Sequence, residues 1–522
     1  MQPVMVHTSS TNKQKLIVRA ALVIGAIVVV AFLSLALYWP FRRSAVLKQL
    51  EDASLSRVNA AAFHKTYFPR PGCVLEHVTF QHDSTTGSPP LIAVDKLSIE
   101  GSFSGLFVKH VKLIRAEGMH IVIPPRGAGE RFQTPQRSTI VIDELIADGA
   151  VLEVSREADK QALKFSFHSF DLSNIGSNGP ASFQAKFSNP EPPGEITASG
   201  KFGPWSAEAL GTTAVSGEYW FQQADLGVFH GIAGLLSSSG KFSGVIDHIE
   251  VQGQTDVPNF AVTSSFHQVQ LRTQFHAVVN GENGDTFLQC VDATFLKTNV
   301  SSQGSVAGQP GQPGKTTAIE LTTNEGRIQD LLLLFVQAKQ APMSGFTSFH
   351  AKVSIPPGAR PFLKKVELQG DFGVNGSFTK SSTQQGVNRL SEGALFDEKG
   401  RREPEKNDPD PETVLSNLKG HVVLKDGTAK FFNLSFGVPG ASAQMQGSYN
   451  LITEKINLHG TLITESQPSK TTSGVKAAML KVLSPFVKRK PAGYVLPIKI
   501  TGTYDHPLFG LDLMNDNKKP QK

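Results

Sequence analysis

The chain has 522 residues, of which 39% are hydrophobic and 18% charged, and its formal net charge is +6. The length exceeds what one hydrophobic core organises, and the composition excludes a wholly disordered chain. Lysines and arginines are dispersed among acidic residues, without the basic and aromatic strand platform that RNA-binding sheets use. We therefore expect no nucleic-acid partner.

An apolar segment near the N-terminus predicts a transmembrane helix. The run Ala20–Trp39 contains no charged residue and only Ser34 as a polar side chain. At about 1.5 Å per residue it spans roughly 30 Å, the thickness of a bilayer's hydrocarbon core. Arg42 and Arg43 follow as a cationic stop. A cleaved signal peptide is the alternative, since Ser34-Leu35-Ala36 resembles a cleavage site, although the apolar run is longer than such peptides usually have.

The rest of the chain shows the alternation and frequent turns of short β-strands. Its two cysteines, Cys73 and Cys290, permit one disulfide in an oxidising compartment but do not require it. Helical spacing interrupts the strand pattern at Gln223–Leu236 and in two later segments, and glycine and proline indicate loops at Ser301–Lys315 and at 396–413. The predicted organisation is a cytoplasmic N-terminus at 1–15, a transmembrane helix at 16–39, a β-rich region at 40–310, a middle β-region at 311–400 with a helix at 327–339, a charged proline-rich loop at 396–413, and a β-region at 414–522 with an amphipathic helix at 474–490.

One pattern recurs in five predicted strands without a fixed period. Apolar and polar residues alternate up to a glycine, and an apolar or aromatic residue stands two positions later. Because side chains alternate between faces, each glycine lies on the same face as its apolar neighbours and leaves a notch there. The notch glycines are Gly200, Gly370, Gly447, Gly460 and Gly502. The residues expected by the same parity to line the apolar face are Phe202, Phe372, Met445, Tyr449, Leu458, Ile500 and Tyr504.

Two explanations of the notches remain open at this stage. Glycine permits a bulge or a sharp bend in a strongly coiled sheet, with a neighbouring aromatic side chain covering it. Alternatively, successive notches leave a continuous apolar groove wide enough for a hydrocarbon chain.

Motifs that would indicate catalysis are missing from the sequence. It has no G-x-S-x-G or H-E-x-x-H motif, and the two cysteines are too far apart for a Cys-x-x-Cys metal site. Gly314-Lys315-Thr316 resembles the end of a phosphate-binding loop, but position 309 is Gln where that loop needs Gly. We expect no enzymatic activity, no cofactor and no metal.

Several segments, in their order along the chain, resemble the AsmA-like family of bacterial envelope proteins, which are related to AsmA and TamB. Their order persuades more than any one of them, and with the apolar N-terminal run they cover nearly the whole chain. They are Tyr67–Gly72, the stretch from Gly240–Gly244 to Pro258–Phe260 with Val251–Thr255 inside it, Asn280–Asp285, Gly326–Leu332, Ile355–Gly358, and the C-terminal run from Lys425–Gly427 through Val438–Ala441 to Gly447–Asn450.

The resemblance implies a fold and a function. The fold is mainly β, with an N-terminal transmembrane helix followed by an elongated, twisted, repeating β-groove or open sheet and a few covering helices. The protein would be single-pass in the bacterial inner membrane, with its body in the periplasm. It would bind phospholipid acyl chains and assist lipid transport toward, and integrity of, the outer membrane. The alternative is a scaffold that regulates assembly or targeting of outer-membrane proteins, and an outer-membrane or periplasmic partner is expected at the far end.

The predicted helix at 474–490 has a basic amphipathic pattern. One role is a cap on the last strand of the groove, and the other is contact with an anionic membrane surface. Its apolar stripe includes Val475, Met479, Leu483 and Phe486, and its positive charge includes Lys481, Lys488 and Arg489.

Overall fold

The computed structural model carries side chains and describes about two thirds of the chain. The described residues are 39–54, 56–81, 91–105, 110–123, 141–154, 162–176, 179–204, 210–229, 231–263, 265, 267–281, 283–309, 314–336, 340–341, 343–358, 360–378, 415–438, 441–464, 488–490, 493–503 and 506–512. They fall into two compact units. The first takes the described residues within Met1–Ser155 and Ser169–Ala181, and the second those within Arg156–His168 and Ser182–Lys522.

Among its described residues, the first unit is a mixed sheet with one helix. Strands β1 to β4 pair antiparallel in chain order, whereas β4 and β5 pair in parallel. The boundary between the units falls within β6. The elements are α1 (Arg43–Ser54), β1 (Arg57–Thr66), β2 (Gly72–Gln81), β3 (Ile92–Gly101), β4 (His110–Ile123), β5 (Val141–Val154) and β6 (Leu163–Ile175).

The second unit is built from strands that pair with their neighbours in the chain, nearly all of them antiparallel. Its elements are β7 (Ala181–Pro190), β8 (Pro193–Phe202), β9 (Ala214–Asp225), β10 (Ile232–Ala233), β11 (Leu235–Val245), β12 (His248–Val262), β13 (Val269–Val279), β14 (Thr286–Phe295), β15 (Thr298–Gly308), β16 (Lys315–Arg327), α2 (Ile328–Phe335), β17 (Met343–Ile355), α3 (Phe362–Lys365), β18 (Glu367–Phe378), β19 (Leu415–Lys425), β20 (Thr428–Val438), β21 (Ala441–Asn450), β22 (Lys455–Thr464), β23 (Lys488–Lys490), β24 (Gly493–Thr503) and β25 (Pro507–Leu511). Short 3-10 turns occupy Leu210–Thr212 and Leu226–Val228.

The prediction of a mainly β protein with an open sheet and few helices is confirmed. The predicted helix at 327–339 is present as α2, which ends at Phe335. The helix predicted at Gln223–Leu236 is wrong, because β9, a 3-10 turn and β10 occupy most of this stretch. Gly231 and Gly234 there have φ of +114° and +135°, which a helix cannot accommodate.

The loop predicted at Ser301–Lys315 is also wrong over its first half, since β15 continues to Gly308. The loop predicted at 396–413 lies outside the described residues. The structure likewise describes only Trp39 of the predicted transmembrane helix at 16–39. Among the described helices, none combines the length and apolar character needed to cross a membrane.

Candidate functional site

One face of the sheet in the second unit carries a row made up almost entirely of apolar residues and glycines. Cα partners on antiparallel strands share a face, so the row can be followed from strand to strand. Its exceptions are the amphipathic Tyr219 and the small polar Ser302. From β8 to β24 its members are Ala198, Tyr219, Gly240, Gly253, Phe275, Val291, Ser302, Leu321, Ala351, Gly370, Val422, Phe431, Gly447, Leu458 and Ile500.

A second row runs beside the first on the same face. Tyr449 is the only member of this row whose side chain contains a polar group. Its members are Gly200, Gly217, Phe242, Val251, Ala277, Leu288, Gly304, Ile319, Val353, Leu368, Leu424, Ala429, Tyr449, Ile456 and Gly502. We call the surface formed by these two rows the apolar face. At about 4.8 Å per strand, each row is roughly 65 Å long.

The side of the sheet that carries the apolar face is fully buried in two places next to the rows. Helix α2 packs Leu334 with Phe295 and Val300 in one buried cluster, to which Leu271 and Leu321 contribute partly buried side chains. The other cluster lies on β20 to β24 and includes Leu434, Phe436, Ala441, Ala443, Met445, Leu462, Leu496 and Ile498.

Elsewhere on this face Ala277, Ala351, Val353 and Ala429 are buried, whereas many of the larger side chains are half-buried. Those of Phe275, Val291, Ile319, Leu368 and Phe431 each keep part of their surface accessible to solvent. Such residues ordinarily sit in the interior of a protein. The middle of the face therefore offers apolar contact area that the described residues do not fully cover.

The residues that the sequence predicted for the apolar face are mostly brought together. Phe372, Met445, Leu458 and Ile500 belong to, or pack against, the buried cluster on β20 to β24. The rings of Phe372 and Phe431 meet edge to face, with centroids 6.1 Å apart. Tyr449 lies in the second row, opposite Ala429 and Ile456.

Two of the predicted lining residues stand apart from that cluster. Phe202 lies on β8, at the other end of the series of strands, where its Cα partner is Val215. Tyr504 lies outside the described residues.

The notch glycines allow neighbouring strands to approach closely. A Cβ on Gly447 would overlap the carbonyl oxygen of Asn457, and one on Gly460 would overlap that of Gln444. Gly200, Gly370 and Gly502 would likewise meet the backbone oxygens of Ser216, His350 and His506. In addition, Gly447 and Gly502 have φ of +149° and +97°. Of the two explanations, the bending of the sheet has the direct structural support, since backbone fills the space that a side chain at each notch would need.

The opposite face of the same strands carries mostly polar side chains, with ion pairs between neighbouring strands, but it also exposes Trp220, Phe287, Phe346 and Phe432. Lys241 Nζ lies 3.0 Å from Glu218 Oε1, and Lys425 Nζ lies 3.2 Å from Glu367 Oε1. Histidines also contact carboxylates on neighbouring strands: His350 Nε2 lies 2.8 Å from Glu320 Oε1, and His421 Nδ1 lies 2.8 Å from Asp371 Oδ1. The opposite face is therefore the more polar of the two.

Sequence reasoning missed most of the half-buried middle of the apolar face. It used glycine-centred segments, whereas Phe275, Val291, Leu321 and Phe431 have no glycine two residues before them. The alternation of apolar and polar residues within β13, β16 and β20 could have identified the residues on those strands. In β14 a bulge leaves Gln289 and Cys290 both exposed, which resets the alternation between Leu288 and Val291.

Of the predicted amphipathic helix at 474–490, the structure describes only residues 488–490. Lys488 and Arg489 lie in strand β23, which pairs with β24, so the helix prediction is wrong for these residues. Strand pairing with Tyr494 and Val495 supplies the hydrogen bonds that a helix would otherwise make. Val475, Met479, Lys481, Leu483 and Phe486 lie outside the described residues.

Comparison with protein-family models gives no match to this chain, and comparisons with curated proteins and with solved structures give none either.

Proposed function

We propose that this chain is anchored in the bacterial inner membrane, holds phospholipid acyl chains against its apolar face in the periplasm, and assists phospholipid transport toward the outer membrane. The observation that carries the proposal is the succession of apolar residues and glycines from β8 to β24, in which Ser302 and two tyrosines are the exceptions. A hydrocarbon chain that moves along a protein needs such continuity. A protein built of closed sandwich domains would interrupt it.

The half-buried side chains in the middle of the face supply the driving force in this proposal. An acyl chain that covers Phe275, Val291 and Ile319 would remove apolar surface from water, at about 25 cal/mol per Å². The charged headgroup would stay at the solvated edge of the sheet, because burying an ion without a partner is costly. Holding and sliding a lipid in this way needs no catalytic residue and no cofactor.

The anchor, the compartment and the family in this proposal come from the sequence. The apolar run ending at Trp39 is proposed as the membrane anchor, with the two β units in the periplasm. The resemblance to AsmA-like proteins supports an elongated, twisted β-groove and the role in outer-membrane integrity, and the open sheet is compatible with that architecture. The notch glycines have a shaping role here: they let the sheet bend around the lipid rather than make room for it.

A scaffold for outer-membrane protein assembly is the second candidate. Within the described residues, β25 pairs with β24 along one edge, which leaves its other edge available for an added strand. A client strand would bind there through backbone hydrogen bonds. This role would not need a continuous apolar face, so we place it second.

Site-specific photo-crosslinking tests the proposal in the full chain. A benzophenone amino acid is placed at Phe275 on the apolar face, and at its neighbour Gln274 on the polar face as a matched control. We expect phospholipid adducts, detected by mass spectrometry after irradiation of cells, at position 275 and not at 274. Equal yields at the two positions, or protein adducts without lipid at 275, would overturn the proposal.

A further inference from the structure

Exposed aromatic side chains gather at one end of the first unit. Thr66 at the end of β1 faces Gly72 at the start of β2, and Gly72 faces Glu100 near the end of β3. The turn between β1 and β2 and the segment after β3 therefore lie at the same end. Tyr67 and Phe68 in that turn are 56% and 84% exposed, and Phe103 after β3 is 51% exposed. We call these three residues the aromatic end.

The chain enters the first unit at this same end. The buried indole of Trp39 packs against Tyr67, with ring centroids 4.8 Å apart. Phe41 is also buried and lies over Gly101, where a Cβ would be 3.0 Å from Phe41 Cζ. Trp39 is the last residue of the predicted membrane segment. Tyr67 therefore lies next to the residue at which the predicted segment ends.

Charge at this end suits a lipid surface. Arg42 is exposed and lies three residues after Trp39, whereas the guanidinium of Arg43 donates a 2.8 Å hydrogen bond to the Ala60 carbonyl, away from this end. The side chain of Arg70 is about half exposed and forms an ion pair with Glu100. Aromatic rings favour the region between headgroups and acyl chains, and arginines favour the anionic headgroups. A water-facing turn would gain nothing from a phenylalanine as exposed as Phe68.

From these contacts we infer that the aromatic end is a membrane-contact surface: Tyr67, Phe68 and Phe103 insert into the phospholipid interface and fix the first unit upright on the bilayer. The inference rests on the membrane segment of the proposed function, but not on lipid binding by the apolar face. It adds a defined orientation, in which strands β1 to β3 point away from the membrane.

The test compares two fluorophore positions at opposite ends of the β1–β2 hairpin. Arg57 and Gln81 pair at its other end, and a strand of this length extends roughly 30 Å. The background is the full-length Cys290→Ser protein. One variant has Arg70→Cys, and the control variant has Arg57→Cys at an exposed position. The new cysteine of each variant carries an NBD fluorophore. The buried Cys73 stays in place. The labelled proteins enter nanodiscs of phosphatidylethanolamine and phosphatidylglycerol, with or without a headgroup nitroxide lipid.

We expect the nitroxide lipid to quench the label at position 70 several-fold more than the label at position 57. Equal quenching at the two positions, or a chain that does not associate with nanodiscs, would overturn the inference. A second variant, Phe68→Ser with Phe103→Ser, keeps the label at 70 and should lose most of the quenching while Cys73 stays protected from maleimide. Unchanged quenching would show that the aromatic side chains do not hold this end at the membrane.

The two proposals fail separately. Lipid adducts at position 275 without preferential quenching at position 70 would overturn only the membrane-contact surface. Quenching at position 70 without adducts at position 275 would overturn only the acyl-chain proposal.

Discussion

The hydroxyl of Thr298 donates a 2.8 Å hydrogen bond to Asp330 Oδ2 and accepts one of 2.9 Å from the backbone N–H of Arg327. The same carboxylate oxygen accepts from the backbone N–H of Lys297 at 2.9 Å. Both Thr298 and Asp330 are buried. These bonds join the turn before β15 to the first turn of α2, the helix that covers part of the apolar face.

Replacing Asp330 with Ala should destabilise the second unit by about 1–3 kcal/mol, because it removes the acceptor of the buried Thr298 hydroxyl and of the Lys297 N–H. A helix of eight residues has little stability of its own and depends on such contacts. The midpoint of urea unfolding measures the change.

The exposed acid Glu325 provides the control for this prediction. Glu325→Ala should shift the stability by less than about 0.5 kcal/mol. In a double-mutant cycle, Thr298→Val and Asp330→Ala should be non-additive, since they remove the same bond. Additive effects would show that the two side chains act independently.

The notch glycines should tolerate no side chain where strands approach closely. Gly460→Ala would place a methyl group against the Gln444 carbonyl, and neither backbone can rotate away as a side chain would. We expect a loss of at least about 1–3 kcal/mol, the range of overpacked sites. Gly510→Ala is the control, because its Cβ would be 3.8 Å from the nearest atom, Lys499 Cε. A similar thermal midpoint for both variants would contradict the close approach.

The local pattern of apolar and polar residues was sufficient to predict which side chains of a single strand share a face, and to predict one helix. The alternation around Gly447 and Gly460 placed Met445 and Leu458 on one face because a strand's side chains alternate whatever its neighbours are. Likewise, the spacing of Leu331, Leu332 and Phe335 identified α2. These features depend on a few adjacent residues.

Features that depend on distant residues could not be read in the same way. Gln303 and the two glycines of β15 indicate a loop, yet Gly304 pairs with Leu288 and Ile319, and pairing with two neighbouring strands overrides this weak local preference. The rows themselves depend on register across β18 and β19, which are separated by residues 379–414. Membership of the apolar face in the middle strands follows from that register and not from any single segment.

A charge on the apolar face should slow lipid transfer. Ile319 is half-buried in the second row, whereas its neighbour Ala318 is exposed. Under the proposed function, Ile319→Glu removes contact worth about 1–1.5 kcal/mol and opposes the acyl chain, so transfer between donor and acceptor vesicles should fall roughly tenfold. Ala318→Glu adds the same charge and should leave the rate unchanged. Equal rates for the two variants would contradict a role for this face.

The two cysteines should differ strongly in reactivity. Cys290 is exposed, whereas Cys73 is buried in the first unit, and both are free thiols. Burial removes Cys73 from water and raises the pKa of its thiol from 9.0 to about 12, because the thiolate loses solvation. Since the thiolate is the reactive form, maleimide at pH 8 should modify Cys290 rapidly and Cys73 only on unfolding. Rapid modification of both thiols in the folded chain would contradict this burial.

The same shift predicts a pH dependence of stability. Between pH 9 and pH 12 the unfolded chain loses the Cys73 proton while the folded chain keeps it, so the unfolded state binds fewer protons and the free energy of unfolding falls as pH rises. Below pH 9 the thiol is protonated in both states, and this contribution is fully present. A Cys73→Ala variant lacks the titrating group but keeps all the others. The stability difference between the wild type and this variant, measured by urea unfolding, should therefore be constant up to about pH 9 and shrink above it, and a difference that stays constant to pH 11 would show that the Cys73 thiol is not desolvated.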